Sequence, residues 1–141
     1  MLYHVKDQAA AIAESHRVLK PRGTLLVTTN GRNNMAELYT MTTVFGSAPR
    51  DPAGDAFGLD RAEQLLKAQF GNAELKMYPA TMRVTDPEVV YLAMTSYPPG
   101  DTAPPDQQAA FRAAIQLAFD KGDGAVDVTK EVGLVVSRKA A

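Results

Sequence analysis

Residues 18–31 read Val-Leu-Lys-Pro-Arg-Gly-Thr-Leu-Leu-Val-Thr-Thr-Asn-Gly, and this stretch decides the fold that the sequence predicts. Because proline cannot continue a helix and restricts the residue before it, Pro21 ends the preceding helix. Residues 24–29 are β-branched or aliphatic without strict alternation, which is typical of a strand buried on both faces of a parallel sheet. Asn30-Gly31 then turns the chain at the carboxyl end of the strand, where open α/β sheets bind their ligands.

The rest of the chain alternates helical and extended patterns, which predicts an α/β fold. Apolar residues recur at helical spacing over residues 8–19, 33–45, 59–70, 87–97 and 106–120. Asp7, Asp60 and Asp86 are placed to cap three of these helices. Residues 73–79 alternate as a strand near a sheet edge, and residues 125–139 predict one bent strand or two short ones. We expect a loop over residues 46–58, while residues 1–5 resemble the end of a strand.

The bulk composition restricts the classes of function. A chain of 141 residues with 45% hydrophobic residues fits one globular domain, residues 1–141. A net charge of -1 gives no reason to expect nucleic acid as a partner. The sequence has no cysteine and only two histidines without metal-ligand spacing, so we expect no metal site. No stretch reaches the ~20 apolar residues of a membrane span, and we expect a cytoplasmic protein without membrane contact.

Several short motifs, in this order along the chain, resemble the second half of a class I S-adenosylmethionine-dependent methyltransferase of the type 11/25 kind. They are Met-Leu-Tyr-His-Val at residues 1–5, Leu-Lys-Pro-Arg-Gly at 19–23, Phe-Gly-Leu at 57–59, Leu-Lys-Met-Tyr at 75–78 and Val-Thr-Asp at 84–86. Arg22 replaces the first glycine of the family's usual Gly-Gly. The similarity covers essentially the whole chain. It implies a partial Rossmann-like sheet with flanking helices, made of the family's fifth, sixth and closing antiparallel strands.

The resemblance also identifies the chain as a C-terminal half. In the family, a glycine-rich loop after the first strand and an acid at the end of the second hold the cofactor, and the sequence has neither. Its single Gly-x-Gly, residues 122–124, follows a helix and precedes a strand, whereas a nucleotide loop needs the reverse order. The chain is therefore interpreted as a truncated domain, from a reading frame that starts at an internal methionine or from a half-sized protein.

The resemblance implies which residues would take part in methyl transfer to a small molecule. The stretch Met1, Leu2, Tyr3 and His4 would border S-adenosylmethionine. Tyr3 and His4 would be catalytic, because His4 has the intrinsic pKa of a general base; the alternative is that both merely pack at an exposed edge. Substrate would contact Asn30, Arg32, Met35 and Tyr39. Asn30 could instead cap the next helix, and Met35 and Tyr39 could be ordinary core residues.

Two further expectations follow from a half-sized domain. The strand at residues 24–29 would lack a neighbour on one side, and an open hydrophobic strand edge invites pairing. We expect another copy of the chain, a complementary chain that carries the first half, or a rearranged N-terminus to cover this edge. The alternative to an enzyme is a non-catalytic methyltransferase-like domain that acts as an interaction or regulatory partner. A third reading is a pocket that binds or isomerises a substrate without cofactor.

Overall fold

The computed structural model describes residues 2–141, and the predicted α/β class is confirmed. The helices are α1 (Gln8–Val18), α2 (Ala36–Met41), α3 (Pro52–Phe57), α4 (Leu59–Phe70), α5 (Pro87–Met94) and α6 (Pro105–Lys121). The strands are β1 (Thr24–Asn30), β2 (Glu74–Val84) and β3 (Val126–Arg138). Short 3₁₀ turns occur at Leu2–His4, Thr42–Phe45 and Gly100–Thr102. Within residues 2–141, no helix is both long and apolar enough to cross a membrane.

The three strands form one sheet in the order β1-β3-β2. β1 and β3 pair antiparallel, with Thr24 opposite Arg138 and Asn30 opposite Val132. The prediction of a closing antiparallel strand is therefore confirmed, and residues 125–139 form one long strand rather than two short ones. β2 lies at the end of the order, as its alternating pattern predicted.

The burial predicted for β1 is wrong. Val27 and Thr29 are buried, but Leu26 just before them is 60% exposed and Thr28 between them is exposed, so the strand has one covered and one open face. Of the elements described, α3 and α4 contact β1, and Val27 packs in the core that α4 helps to form. Its described partner β3 is antiparallel rather than parallel. A run of β-branched and aliphatic residues suits either a one-sided or a two-sided strand, so the sequence pattern could not distinguish them.

The described residues divide into two compact units. The first unit contains residues 2–34, 52–79 and 131–141, and the second contains residues 35–51 and 80–130. The core of the first unit is made of buried side chains from α1, β1, α3, α4 and β3: Ile12, Val27, Phe57, Ala62, Leu66, Phe70 and Val135. The core of the second unit is centred on Phe111, Ile115 and Phe119 of α6, with Leu38, Phe45, Val90, Met94 and Val128 around them.

Helix ends show where local sequence signals held and where they failed. Asp7 accepts a hydrogen bond from the Ala10 amide at 2.8 Å, and Asp86 accepts one from Glu88, so both predicted caps are confirmed. The predicted cap at Asp60 is wrong, because α4 begins at Leu59 with Gly58 as its N-cap. At the other end of α1, the Lys139 ammonium donates to the carbonyl oxygens of His16 and Leu19 at 2.8 and 2.9 Å.

Two other expectations are corrected. The stretch 46–58, expected to be a loop, contains α3, which begins at Pro52 as the first helical turn allows. The stretch 1–5 was expected to be the end of a strand, but its described part forms a single 3₁₀ turn at Leu2–His4. Both errors concern segments of about one or two turns, which are too short to show a helical period in sequence.

Candidate functional site

A pocket of about 460 Å³ lies in the first unit, beside the carboxyl end of β1. Its walls are the turn after β1, the junction of α3 and α4, and part of β2. Glu131, the first residue of β3 that belongs to the first unit, completes the lining. The lining residues are Gly31, Arg32, Asn33, Gly54, Asp55, Gly58, Leu59, Asp60, Arg61, Gln64, Leu75, Met77 and Glu131. The pocket therefore lies where the sequence predicted a ligand, at the end of the strand that decides the fold.

Three glycines, Gly31, Gly54 and Gly58, contribute backbone to the lining of this pocket. A β-carbon on Gly54 would lie 2.5 Å from the carbonyl oxygen of Gly31, and one on Gly58 would overlap the carbonyl oxygen of Gly54. In each case the obstructing atom belongs to the backbone and cannot rotate away. Glycine therefore allows α3 to lie directly against the turn that follows β1.

Glu131 fixes the turn after β1. Its backbone carbonyl accepts from the Gly31 amide at 2.8 Å, and its side-chain Oε2 accepts from the Asn33 amide at 2.8 Å. The buried Asn34 accepts in return from the Glu131 amide, at 3.2 Å. The Glu131 carboxylate also lies over Gly31, where a β-carbon would overlap it. These contacts hold Arg32, between Gly31 and Asn33, at the pocket.

Two arginines line the pocket, Arg32 and Arg61, and they differ in their hydrogen-bond partners. Arg61 is held by Gln8, whose Oε1 accepts from Nε at 2.5 Å, and Gln8 is held in turn through a hydrogen bond to the Ala56 carbonyl oxygen at 3.0 Å. Within the described part of the chain, Arg32 has no carboxylate or carbonyl partner, and its side chain is exposed. The pocket therefore presents one oriented and one uncommitted cation.

The predicted catalytic and cofactor residues do not line this pocket. Tyr3 and His4 are exposed, and their rings contact each other with centroids 4.4 Å apart. Leu2 packs at the edge of the first-unit core, and Met1 lies outside the described residues. The described part of this stretch forms a 3₁₀ turn, and its role in binding S-adenosylmethionine stays a prediction.

The predicted substrate residues are distributed over both units. Asn30 ends β1 and Arg32 lines the pocket, both in the first unit. The alternative role of Asn30 as a helix cap is wrong, because α2 begins after Met35 and has no side-chain cap. Met35 belongs to the second unit, where its amide donates to the Thr129 carbonyl oxygen at 2.8 Å.

Tyr39, also predicted to contact substrate, is buried in the core of the second unit. Burial raises the pKa of the Tyr39 hydroxyl, and its side-chain hydrogen bonds with Tyr97 and Asp51 and the nearby Asp51 charge raise it further. The hydroxyl is therefore protonated at neutral pH and acts as a hydrogen-bond donor inside the unit.

The second unit has a smaller cavity of about 310 Å³ between α5 and α6, lined by Pro87, Glu88, Tyr91, Arg112, Ile115 and Gln116. Its cation is fully engaged. Arg112 donates to both oxygens of Glu88, at 2.6 and 3.2 Å, and its guanidinium carbon lies 3.4 Å from the centre of the Tyr91 ring. The Arg112 hydrogen bond lowers the pKa of Glu88 below its usual value.

Arg32 is the only described lining residue that was predicted as a site residue; those missed from sequence include Gly54, Gly58, Arg61 and Glu131. The two glycines left a signal, since they belong to the glycine-rich stretch 46–58, but that stretch was interpreted only as a loop. Glu131 left none, because its carboxylate bonds to Asn33, which is 98 residues away in sequence. Among the described residues, no group of three acidic or histidine side chains could hold a metal ion.

Comparison with known proteins identifies the fold. No protein-family model and no curated protein matches the sequence. Among solved structures, the chain is similar to the YcgJ protein from Bacillus subtilis, at a TM-score of 0.52 and 14% identity, over 99% of this chain and 61% of that one. It is also similar to BH2331 from Bacillus halodurans C-125, described as a candidate methyltransferase, at a TM-score of 0.52, 15% identity and the same coverage. The chain thus spans about 61% of these proteins and shares, over nearly its whole length, their Rossmann-like α/β fold.

Proposed function

We propose that this chain is the C-terminal half of an S-adenosylmethionine-dependent methyltransferase and that the pocket beside β1 binds a small-molecule methyl acceptor. The observation that carries this proposal is the position of the pocket. It is built at the carboxyl end of β1, in a fold that the chain shares with a candidate methyltransferase. Open α/β sheets bind their ligands outside the carboxyl ends of their strands.

The pocket residues have roles that suit an acceptor site. Methyl transfer requires little more from a protein than alignment of the acceptor with the methyl donor and removal of water. Leu59, Leu75 and Met77 supply an apolar wall, and Glu131 holds the turn that carries Arg32. The backbone at Gly31 and Gly54 is close-packed, so the backbone of this part of the wall is fixed before a ligand arrives.

The cofactor would be bound by a part of the fold outside the matched region. The two solved structures extend beyond the part that this chain matches. In this proposal, the segment that holds S-adenosylmethionine covers the outer edge of β1, either as a complementary chain or as a second copy in an oligomer. Size-exclusion chromatography with light scattering on the purified chain tests this part, and a stable monomer at high concentration would contradict it.

One observation favours the alternative of a non-catalytic interaction domain. Tyr3 and His4, the residues that the resemblance assigned to catalysis, are exposed and do not line the pocket. A domain of this kind would bind a protein partner without transferring a methyl group. A methyl-transfer assay therefore distinguishes the two functions.

The assay measures transfer of the labelled methyl group from S-adenosyl-[methyl-³H]methionine to small molecules of a cell extract. The protein is purified from its own cells together with any chain that is associated with it. Met77→Arg is the blocking variant, because Met77 lines the pocket and is 44% exposed. Met82→Arg is the control, since Met82 lies on the same strand, is 40% exposed and does not line the pocket.

We expect the wild-type protein and Met82→Arg to label a small molecule and Met77→Arg to label none. Absence of labelling by the wild type, together with no heat on titration of S-adenosylmethionine, would reject the enzyme and leave the interaction domain. Equal labelling by the two variants would reject the pocket as the acceptor site.

A further inference from the structure

We infer that the pocket beside β1 recognises a ligand with a single carboxylate group, and that Arg32 is the residue that binds it. This inference rests on the proposed function and specifies the class of acceptor that the pocket would take. It depends on which charged groups of the lining already have partners and which do not.

Arg32 is the available group. Its backbone is fixed on both sides, because the Gly31 and Asn33 amides both donate to Glu131. Its side chain is exposed at the pocket, and none of the described residues pairs with its guanidinium. A guanidinium presents two parallel N–H groups that match the two oxygens of a carboxylate. Because the Arg32 backbone is fixed and its guanidinium has no partner among the described residues, Arg32 is suited to bind a carboxylate through two parallel hydrogen bonds.

Arg61 supplies a second cation at the same pocket. Its Nε is occupied by Gln8, which orients the side chain. Its two terminal nitrogens bond to none of the described residues, so they remain as donors toward a ligand. The cavity thus offers two donor groups that its own side chains do not satisfy.

The acidic residues of the lining limit the charge of the ligand. Glu131 is bonded to the Asn33 amide, Asp60 lies in the first turn of α4, and Asp55 has interactions of its own. Their negative charges remain in the wall and repel a dianion more strongly than a monoanion. We therefore expect a carboxylate to bind more tightly than a phosphate of the same shape.

The apolar side of the pocket determines the body of the ligand. Leu59 and Leu75 approach each other over Gly133, where a β-carbon would lie 2.6 Å from a methyl group of Leu59 and 3.2 Å from one of Leu75. Met77 continues this apolar surface at the pocket. A volume of about 460 Å³ accommodates an aromatic or branched body with one charged end.

The experiment uses benzoate, benzamide and phenyl phosphate as probes of equal ring size and different charge. Each is titrated into the ¹⁵N-labelled chain, and the amide shifts of Gly31, Gly54 and Gly58 are followed. We expect benzoate to shift these amides, with benzamide and phenyl phosphate at least about tenfold weaker. Arg32→Gln should weaken benzoate by about tenfold, while Arg138→Gln, a control at the opposite end of the β1–β3 pair, leaves it unchanged.

Three outcomes would overturn the inference: benzamide as strong as benzoate, phenyl phosphate stronger than benzoate, or no shift of the three glycine amides at tens of millimolar benzoate. The result is separable from that for the proposed function. Benzoate binding that depends on Arg32, without any labelling from S-adenosylmethionine, would support the carboxylate site and reject the methyltransferase. Methyl transfer to an uncharged acceptor that is not reduced by Arg32→Gln would support the methyltransferase and reject the carboxylate site.

Discussion

Arg32 in the first unit and Arg112 in the second both line a cavity, but their surroundings differ. Arg112 donates to both oxygens of Glu88 and lies over the ring of Tyr91. Arg32 has neither a carboxylate nor a ring against it among the described residues. An arginine whose donors are satisfied within its own unit supports structure, whereas one held at a pocket with free donors is available for a ligand. Presence in a cavity does not by itself distinguish the two roles.

Other polar groups of the second unit are also satisfied by hydrogen bonds within that unit. In the second unit, the Glu37 carboxylate accepts from the Thr129 amide and hydroxyl at 2.9 and 2.6 Å. Burial alone would raise the pKa of Glu37, but these hydrogen bonds hold it below the usual value. Tyr91 donates to Gln108 at 2.9 Å. We therefore expect substitutions of Glu37 and Tyr91 to reduce the stability of the second unit.

The largest effect is expected where the pocket depends on backbone contact. Gly54→Ala places a β-carbon 2.5 Å from the Gly31 carbonyl oxygen, so α3 must move away from the turn. We expect a loss of about 3 kcal/mol in the free energy of unfolding, as for an overpacked core. Chemical denaturation followed by circular dichroism measures it.

Gly46→Ala is the control for this variant. A β-carbon on Gly46 meets nothing within 4 Å, although its φ of 80° disfavours alanine. Its cost should therefore be about 1 kcal/mol, from backbone conformation alone. Equal losses for the two variants would show that close packing of α3 on the turn contributes nothing.

An intermediate effect is expected at Tyr39. Tyr39→Phe removes the hydroxyl that hydrogen-bonds with Tyr97 and Asp51, and the buried Asp51 carboxyl then has one donor fewer. We expect a loss of about 2 kcal/mol at neutral pH. Tyr78→Phe, at an exposed position, should cost nothing measurable.

The raised pKa of Tyr39 adds a prediction of pH dependence. A folded-state pKa above the usual value of 10.0 means that the contribution is complete below pH 10 and falls as pH rises above it. Absorbance at 295 nm should show one tyrosine that ionises only when the protein unfolds in alkali. Ionisation of all five tyrosines in the folded protein near pH 10 would contradict this.

The smallest effect is expected at Arg112. Because the hydrogen bond from Arg112 lowers the pKa of Glu88 below 4.5, the ion pair stabilises the fold above that pH and is lost as pH falls through the lowered value. Both side chains are about half exposed, so Arg112→Gln should lower the thermal midpoint only slightly at pH 7. The difference from wild type should shrink as the pH falls below 4.5.

Arg32→Gln sharpens this comparison, because it removes the same group from a position without a carboxylate partner among the described residues. Its thermal midpoint should equal that of the wild type at both pH values. A destabilisation by Arg32→Gln as large as that by Arg112→Gln would remove the distinction between the two arginines.

Much of the fold could be predicted from local signals. The helix before Pro21 ends where the sequence indicated, and Asp7 and Asp86 cap helices as predicted. These signals act within one turn of the residue that carries them. The open face of β1 could not be predicted, because exposure of Leu26 depends on which helices pack against the strand, and its own residue type is the same in either case.

The location of the pocket at the end of β1 could be predicted from the sequence, but most of the residues that line it could not. Arg32 could be predicted because ligands gather where a strand of an open sheet ends. Glu131 and Arg61 could not, since their roles arise from contacts with Asn33 and Gln8, which are 98 and 53 residues away. The roles predicted in a reaction are untested for every site residue: Met1, Leu2, Tyr3, His4, Asn30, Arg32, Met35 and Tyr39.

The Lys139 ammonium, which donates to the carbonyl oxygens of His16, Arg17 and Leu19, has a practical consequence for digestion by trypsin. Trypsin must draw a lysine side chain into its specificity pocket, and this one is held against the end of α1. Cleavage after Lys139 should therefore be slow while α1 is intact and fast once its last turn frays. The rate of cleavage of the Lys139–Ala140 bond, followed by mass spectrometry, would report on local opening of that helix.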